Sequence, residues 1–123
     1  MSKHKSFLNT NVSLTPQIFY ILLALATKES HGYDIMKQVN NDSRGKIKLG
    51  PGTLYGAIKR MLEEKLISEV STGQTRRKYY KLTEKGRSIF SSELRRLNTA
   101  VELAKKRKLM AGAPAVKLAF SYV

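Results

Sequence analysis

The chain has 123 residues, of which 23 are Lys or Arg against nine Asp or Glu, giving a formal charge of +14 and a pI near 10.2. That length suits one domain with a single core, and the charge points to a polyanionic partner, with DNA, RNA, ribosomes and anionic membranes all open at this stage. The absence of cysteine excludes disulfides and thiolate metal sites. There is no apolar run of the about eighteen residues a transmembrane helix needs, and no leader-type segment follows Lys3 and Lys5, so a cytoplasmic protein that spans no membrane is expected.

Residues 1–13 are polar and aperiodic and read as a flexible basic arm. A first helix opens at "LTPQIF", with Thr15 as cap, Pro16 at the first helical position, and Leu14 and Phe19 placed to close a hydrophobic staple. The following "IFYILLALATK" is apolar almost all round, which predicts burial of more than one face. In so small a domain the second face, around Ile18 and Leu22, is expected to meet another chain. A second helix follows in "ESHGYDIMKQVNND". Ser30 is its expected cap, Asp34 complements its dipole, and Tyr33, Ile35, Met36 and Val39 form its apolar side. The polar "NNDSRGK" ends it, and Ile47 and Leu49 alternate with Lys46 and Lys48 as in a short extended connector.

The third helix lies in "LGPGTLYGAIKRMLEEKL". Gly50 and Pro51 suit its cap and first turn, and Leu54, Ile58, Met61 and Leu62 form one buried stripe. Thr53, Tyr55, Gly56, Lys59 and Arg60 fall off that stripe and face outward. Two β-rich runs, "LISEV" and "RKYYKL", flank the turn "STGQTR" and predict a hairpin, with Tyr80 and Leu82 on one face and Arg77, Tyr79 and Lys81 on the other. Thr83 caps a long last helix. In it Phe90, Leu94, Leu97, Val101 and Ala104 recur at alternating spacings of four and three, a coiled-coil-like seam, and "KKRK" at 105–108 complements its C-terminus. The tail 110–123 has no clear period.

This order is that of a winged helix-turn-helix domain: mainly α with a small β-hairpin (α+β), a DNA-binding domain over 14–82 and a dimerisation helix over 83–109. In such a fold the third helix enters the major groove and the hairpin, or wing, lies beside it. Small residues at Gly52 and Gly56 then let the helix backbone approach DNA closely, and its free N–H groups can hold a phosphate. Tyr55 contacts DNA, the partner subunit or the wing. Lys48, Thr53, Lys59 and Arg60 are further DNA-contact candidates. At the wing, Arg76, Arg77 and Lys78 are expected to clamp phosphates, Tyr79 to lie on a sugar or phosphate, and Gln74 at the tip to reach the minor groove. His31 has no second His, Cys or acidic cluster at ligand spacing, so it reads as a helix-start residue. No phosphate loop, nucleophile elbow or paired carboxylates appear. An enzyme, a metal site and a cofactor are therefore not expected.

The stretches "FYILLAL", "HGYDIMKQV", "LGPGTLYGAIKRMLEEKLIS" and "RRKYYKLTEKG", in that order and spacing over about residues 14–90, resemble the PadR family of bacterial transcriptional regulators. The single helix after the wing is similar to its short-tailed branch. The resemblance implies a homodimeric winged-helix repressor that binds a palindromic, inverted-repeat operator in double-stranded DNA and responds to a small molecule. Some short members bind flat ligands with tryptophan at the dimer interface. This chain has no Trp, which leaves Phe19, Tyr20 and Phe90 as candidates for effector contact. The seam on the last helix, with Ile18 and Leu22, is the expected dimer interface. The alternative is a basic architectural or RNA-binding winged-helix protein without a regulatory role.

Overall fold

A computed structural model describes residues 14–70 and 76–110. The basic arm, Gln74 at the wing tip and residues 111–123 of the tail lie outside them. The chain divides into two compact units, Met1–Phe90 and Ser91–Val123.

The first unit opens with helix α1 (Pro16–Thr27), whose first turn is capped as expected: the Thr15 hydroxyl accepts from the Ile18 N–H at 3.2 Å. Ile18, Ile21, Leu22 and Leu25 point into the core, and Phe19, Tyr20, Leu23 and Ala26 are partly buried against it. This corrects the expectation for the dimer surface. Leu22 is 0% exposed and Ile18 7%, so the chain's own core takes up both and leaves them no surface for a partner.

Helix α2 (Gly32–Asp42) starts one residue later than a serine cap would place it. His31 is the N-cap, its ring Nδ1 accepting from the Asp34 N–H at 3.4 Å. Ser30 is instead buried in a two-residue strand, β1 (Ser30–His31), and its hydroxyl donates to the Lys28 carbonyl. Ile35 and Val39 are buried as predicted, but Tyr33 is 60% exposed and does not join them. After the helix the chain turns through Arg44 and Gly45, both at positive φ. The Ser43 hydroxyl accepts from the Ile47 N–H at 2.9 Å, which steers the connector so that Leu49 is buried and Lys48 exposed.

Helix α3 (Pro51–Glu63) buries Leu54, Ile58 and Met61 on one stripe, with Leu62 partly buried beside them. Strands β2 (Ile67–Val70) and β3 (Tyr79–Leu82) pair antiparallel, Ile67 opposite Leu82 and Val70 opposite Tyr79. Tyr80 and Leu82 face the core as the alternation predicted. The hairpin is not alone. β1 pairs with β3, so the sheet order is β1-β3-β2 and the second wing strand is central. Isoleucines, leucines and Met61 from all three helices, with Leu66 and Ile67, form the fully buried centre; burial contributes roughly 1.5–3 kcal/mol for each such side chain.

Helix α4 (Glu84–Lys106) gives its first turns to this unit. The Thr83 hydroxyl accepts from the Gly86 N–H at 3.0 Å and donates to the Lys65 carbonyl at 2.6 Å, and the Thr83 N–H bonds the Leu66 carbonyl. Gly86 lies so close to that carbonyl that a side chain there would collide with backbone. Phe90 is buried in the core, which removes it too from the expected dimer surface.

The described part of the second unit, residues 91–110, is the remainder of α4 and the turn that closes it. Leu94, Leu97 and Leu103 are exposed and Val101 and Ala104 half-buried. On its polar side Arg96 binds Glu93 in bidentate fashion at 2.9 and 2.7 Å. The hydrogen bond, then the guanidinium charge, lowers the Glu93 carboxyl below its ordinary value despite partial desolvation.

Helices α2, α3 and α4 end alike. After α3 the Leu66 N–H reaches back to the Met61 carbonyl and the Lys65 N–H to the Leu62 carbonyl, the paired closure that normally places glycine at its left-handed position. Here Lys65 occupies that position at φ 62°. Arg44 and Lys108 do so after α2 and α4, at φ 56° and 60°, each with the same two backbone bonds.

Candidate nucleic-acid interface

The outward side of α3 is made of Gly52, Thr53, Tyr55, Gly56 and Lys59, all exposed. Arg60, predicted to share it, is half-buried, one turn before Glu64. A Cβ at Gly50, Gly52 or Gly56 would meet nothing within 4 Å, and none of the three has positive φ. Nothing among the described residues requires glycine there, although each interior glycine costs a helix about 1 kcal/mol relative to alanine. The start of α3 has a second peculiarity. A side chain caps α1, α2 and α4, through Thr15, His31 and Thr83. Gly50 caps α3 without any side-chain bond, so its first turn lacks the side-chain acceptor that the other three have, and such N–H groups are the ones an anion can take.

Tyr55 is 49% exposed. Its phenol covers Gly32 at the start of α2, where any side chain would strike the Tyr55 hydroxyl. The aromatic ring therefore packs on α2 with one edge left to solvent. Beside it opens a cleft of about 370 Å³, lined by His31, Gly32, Tyr33, Tyr55, Tyr80 and the wing residues Arg76, Arg77 and Lys78. The three wing cations are exposed. Burial raises the Tyr80 phenol above its ordinary value of 10.0, helped by the negative charge of Glu69 and then by Tyr55, so it stays a neutral hydroxyl beneath the cationic wing. Tyr79 is half-buried and stands edge-on to the His31 ring, with centroids 5.2 Å apart. Part of its predicted DNA-facing surface is thus taken by the cap of α2.

The residues missed by sequence reasoning are at the start of α2. Tyr33 lines the cleft, and the Lys37 ammonium lies 5.4 Å from the centre of its ring, within cation–π range. The signal was present: at about 100° per residue, Tyr33 sits roughly 140° around the helix from the Ile35–Val39 face. His31 was read as a helix-start residue, which it is, but its link to the wing had no sequence signature. Among the effector candidates, Phe19 packs against Phe90 at 5.3 Å and edge-to-face with Tyr20 at 5.4 Å. Phe90 is buried, so Phe19 and Tyr20 carry what aromatic surface the trio offers.

A model of the transcriptional regulator PadR-like family matches residues 21–92. A PadR family transcription regulator from Clostridium difficile R20291 is 30% identical, with a TM-score of 0.62 over 75% of this chain and 97% of its own. Bacillus subtilis PadR, solved in complex with operator DNA, is 25% identical, with a TM-score of 0.55 over 63% of this chain and 45% of that one. An uncharacterised protein of Lysinibacillus sphaericus is 29% identical over 75 residues, 58% of this chain and 68% of that protein.

Proposed function

We propose, for a chain that belongs to the PadR-like family of transcriptional regulators, a homodimeric repressor that binds an inverted-repeat operator and is released by a small-molecule effector. The coarser statement follows from the family: the protein is a winged-helix, DNA-binding regulator of transcription and not an enzyme. The observation that supports the DNA contact in this reading is the surface of α3. Its glycines answer to no contact among the described residues and its first turn has no side-chain cap, beside a wing bearing three exposed cations. In this reading Thr53 and Lys59 read base edges, Gly52 and Gly56 admit the DNA backbone, and Lys48, Tyr55, Arg76, Arg77 and Lys78 hold phosphates. Residues 83–109 act as the dimerisation helix, now through Leu94, Leu97, Val101 and Ala104. Such a dimer presents two α3 helices to half-sites about one DNA turn apart. A small-molecule effector, with Phe19 and Tyr20 as its aromatic contacts, would favour an arrangement in which both helices miss their half-sites. It acts only by preferring that arrangement. A cytoplasmic location accompanies this role; no helix among the described residues is long and apolar enough to cross a membrane.

Titration of DNA from upstream of the gene against random-sequence duplex at physiological salt tests the reading. A sequence-specific repressor prefers the upstream fragment by a factor of roughly 10³ or more. Equal affinity for both would favour the architectural alternative.

A further inference from the structure

His31 is 6% exposed and stands where three elements meet. It caps α2, pairs with Tyr79 of the central strand, and its Nε2 lies 3.1 Å from the Arg77 guanidinium of the wing. The same Nε2 lies 3.1 Å from the Asp34 carboxylate. One ring nitrogen serves one of these neighbours at a time. As a bare nitrogen it accepts from Arg77; as an N–H it donates to Asp34, the state compatible with Nδ1 accepting the Asp34 N–H. In the first state the ring holds Arg77 directly. In the second the Nε2–H and the guanidinium N–H are both donors, so the ring bonds Asp34 and not Arg77. The tie to Arg77 therefore belongs to the first state, in which Nδ1 carries the proton and the cap bond from the Asp34 N–H is given up. Tyr79, edge-on from β3, restricts the ring from the other side.

We propose that His31 is a positioning residue for DNA binding: without touching DNA, it ties Arg77 of the wing to the start of α2. This rests on the reading of the wing as a phosphate clamp. The tie gives the otherwise long and adaptable arginine a defined origin, so that less freedom is lost when it meets a phosphate. It also makes the start of α2 and the wing move as one body, because β1 and β3 are joined by the ladder as well as by this contact.

The test compares His31→Ser, Arg77→Ala and the double variant on a random-sequence DNA duplex over a range of salt. Serine is a strong helix cap, so His31→Ser retains the start of α2 but cannot reach Arg77, and its melting curve checks that the fold is intact. Arg77→Ala is expected to lower the slope of log affinity against log salt by about one. His31→Ser should reproduce most of that loss, and adding it to Arg77→Ala should change nothing further. In wild type against Arg77→Ala, the His31 Nε2 resonance should shift without any DNA present. If His31→Ser binds as wild type while Arg77→Ala loses its unit of slope, the positioning role is overturned and the clamp survives. Full additivity of the two losses, or an unmoved Nε2 resonance, also overturns it. An unchanged slope in Arg77→Ala removes the clamp and the positioning role together.

Discussion

Replacing Gly56 with alanine should make this protein more stable and worse at binding DNA. Gly56 is exposed in the interior of α3, and the added methyl meets no atom within 4 Å. It therefore creates no clash and gains no burial, and what remains is backbone propensity, about 1 kcal/mol in favour of alanine. For a domain of this size that corresponds to a rise of roughly 4–8 °C in melting temperature. In the proposed DNA-bound arrangement the same methyl would stand where the helix backbone comes close to the duplex. Forcing one carbon into a packed contact costs roughly 1–3 kcal/mol, about a five- to 150-fold loss of affinity. Thermal unfolding by circular dichroism and fluorescence anisotropy with upstream DNA measure the two effects on one preparation. A variant that gains stability and binds like wild type would refute the idea that DNA approach keeps residue 56 a glycine. A variant that loses stability would refute the reading of that face as open.

Gly86→Ala should act in the opposite sense, because its Cβ collides with the Leu66 carbonyl. A loss of roughly 1–3 kcal/mol should appear as a lower urea midpoint, and an unchanged midpoint would contradict the packing described. Leu94→Glu with Leu97→Glu should dissociate the proposed dimer without unfolding the first unit; sedimentation of the wild type as a monomer at micromolar concentration would remove the premise. Alkali should destabilise the fold through Tyr80. Its phenol is raised in the folded state, so the native protein binds more protons there than the unfolded chain. Stability from this group is full below pH 10 and declines as the pH climbs through the raised value. Tyr80→Phe should flatten that alkaline limb, and a limb of unchanged steepness would refute the assignment.

The parts of this molecule legible in its sequence are those with a period. The stripe Leu54, Ile58, Met61 and the alternation of Tyr80 with Leu82 placed α3 and β3 in register with the core that the structure shows. The signals that failed were local choices decided by distant partners. Ser30 is the better cap by propensity, but pairing of Ser30 with Tyr80 holds it in a strand and moves the cap to His31. A two-residue strand has no period to detect. Ile18 and Leu22 lie on a helix apolar almost all round, where sequence alone does not say which side the chain's own core takes. The candidate site was legible where composition was odd, at the glycines of α3 and the cations of the wing. The cleft at α2 was not, because it depends on Tyr55 crossing to Gly32.

The closures of α2, α3 and α4 bear on how such a regulator can change. Arg44, Lys65 and Lys108 each hold a conformation that favours glycine, and a side chain there opposes it by roughly 1 kcal/mol. Part of that is recovered by a cation at a helix C-terminus, and a glycine would also loosen the unfolded chain. A net gain of up to about 1 kcal/mol still lies one substitution away at each of three places. These positions close helix C-termini and are not on α3's outer face, so they can compensate for it. Under the proposed function, a lineage that altered Thr53, Tyr55 or Lys59 to follow a drifting operator could meet destabilised intermediates. A single codon change at a helix end could carry it through them, leaving the fold constant while its target moved.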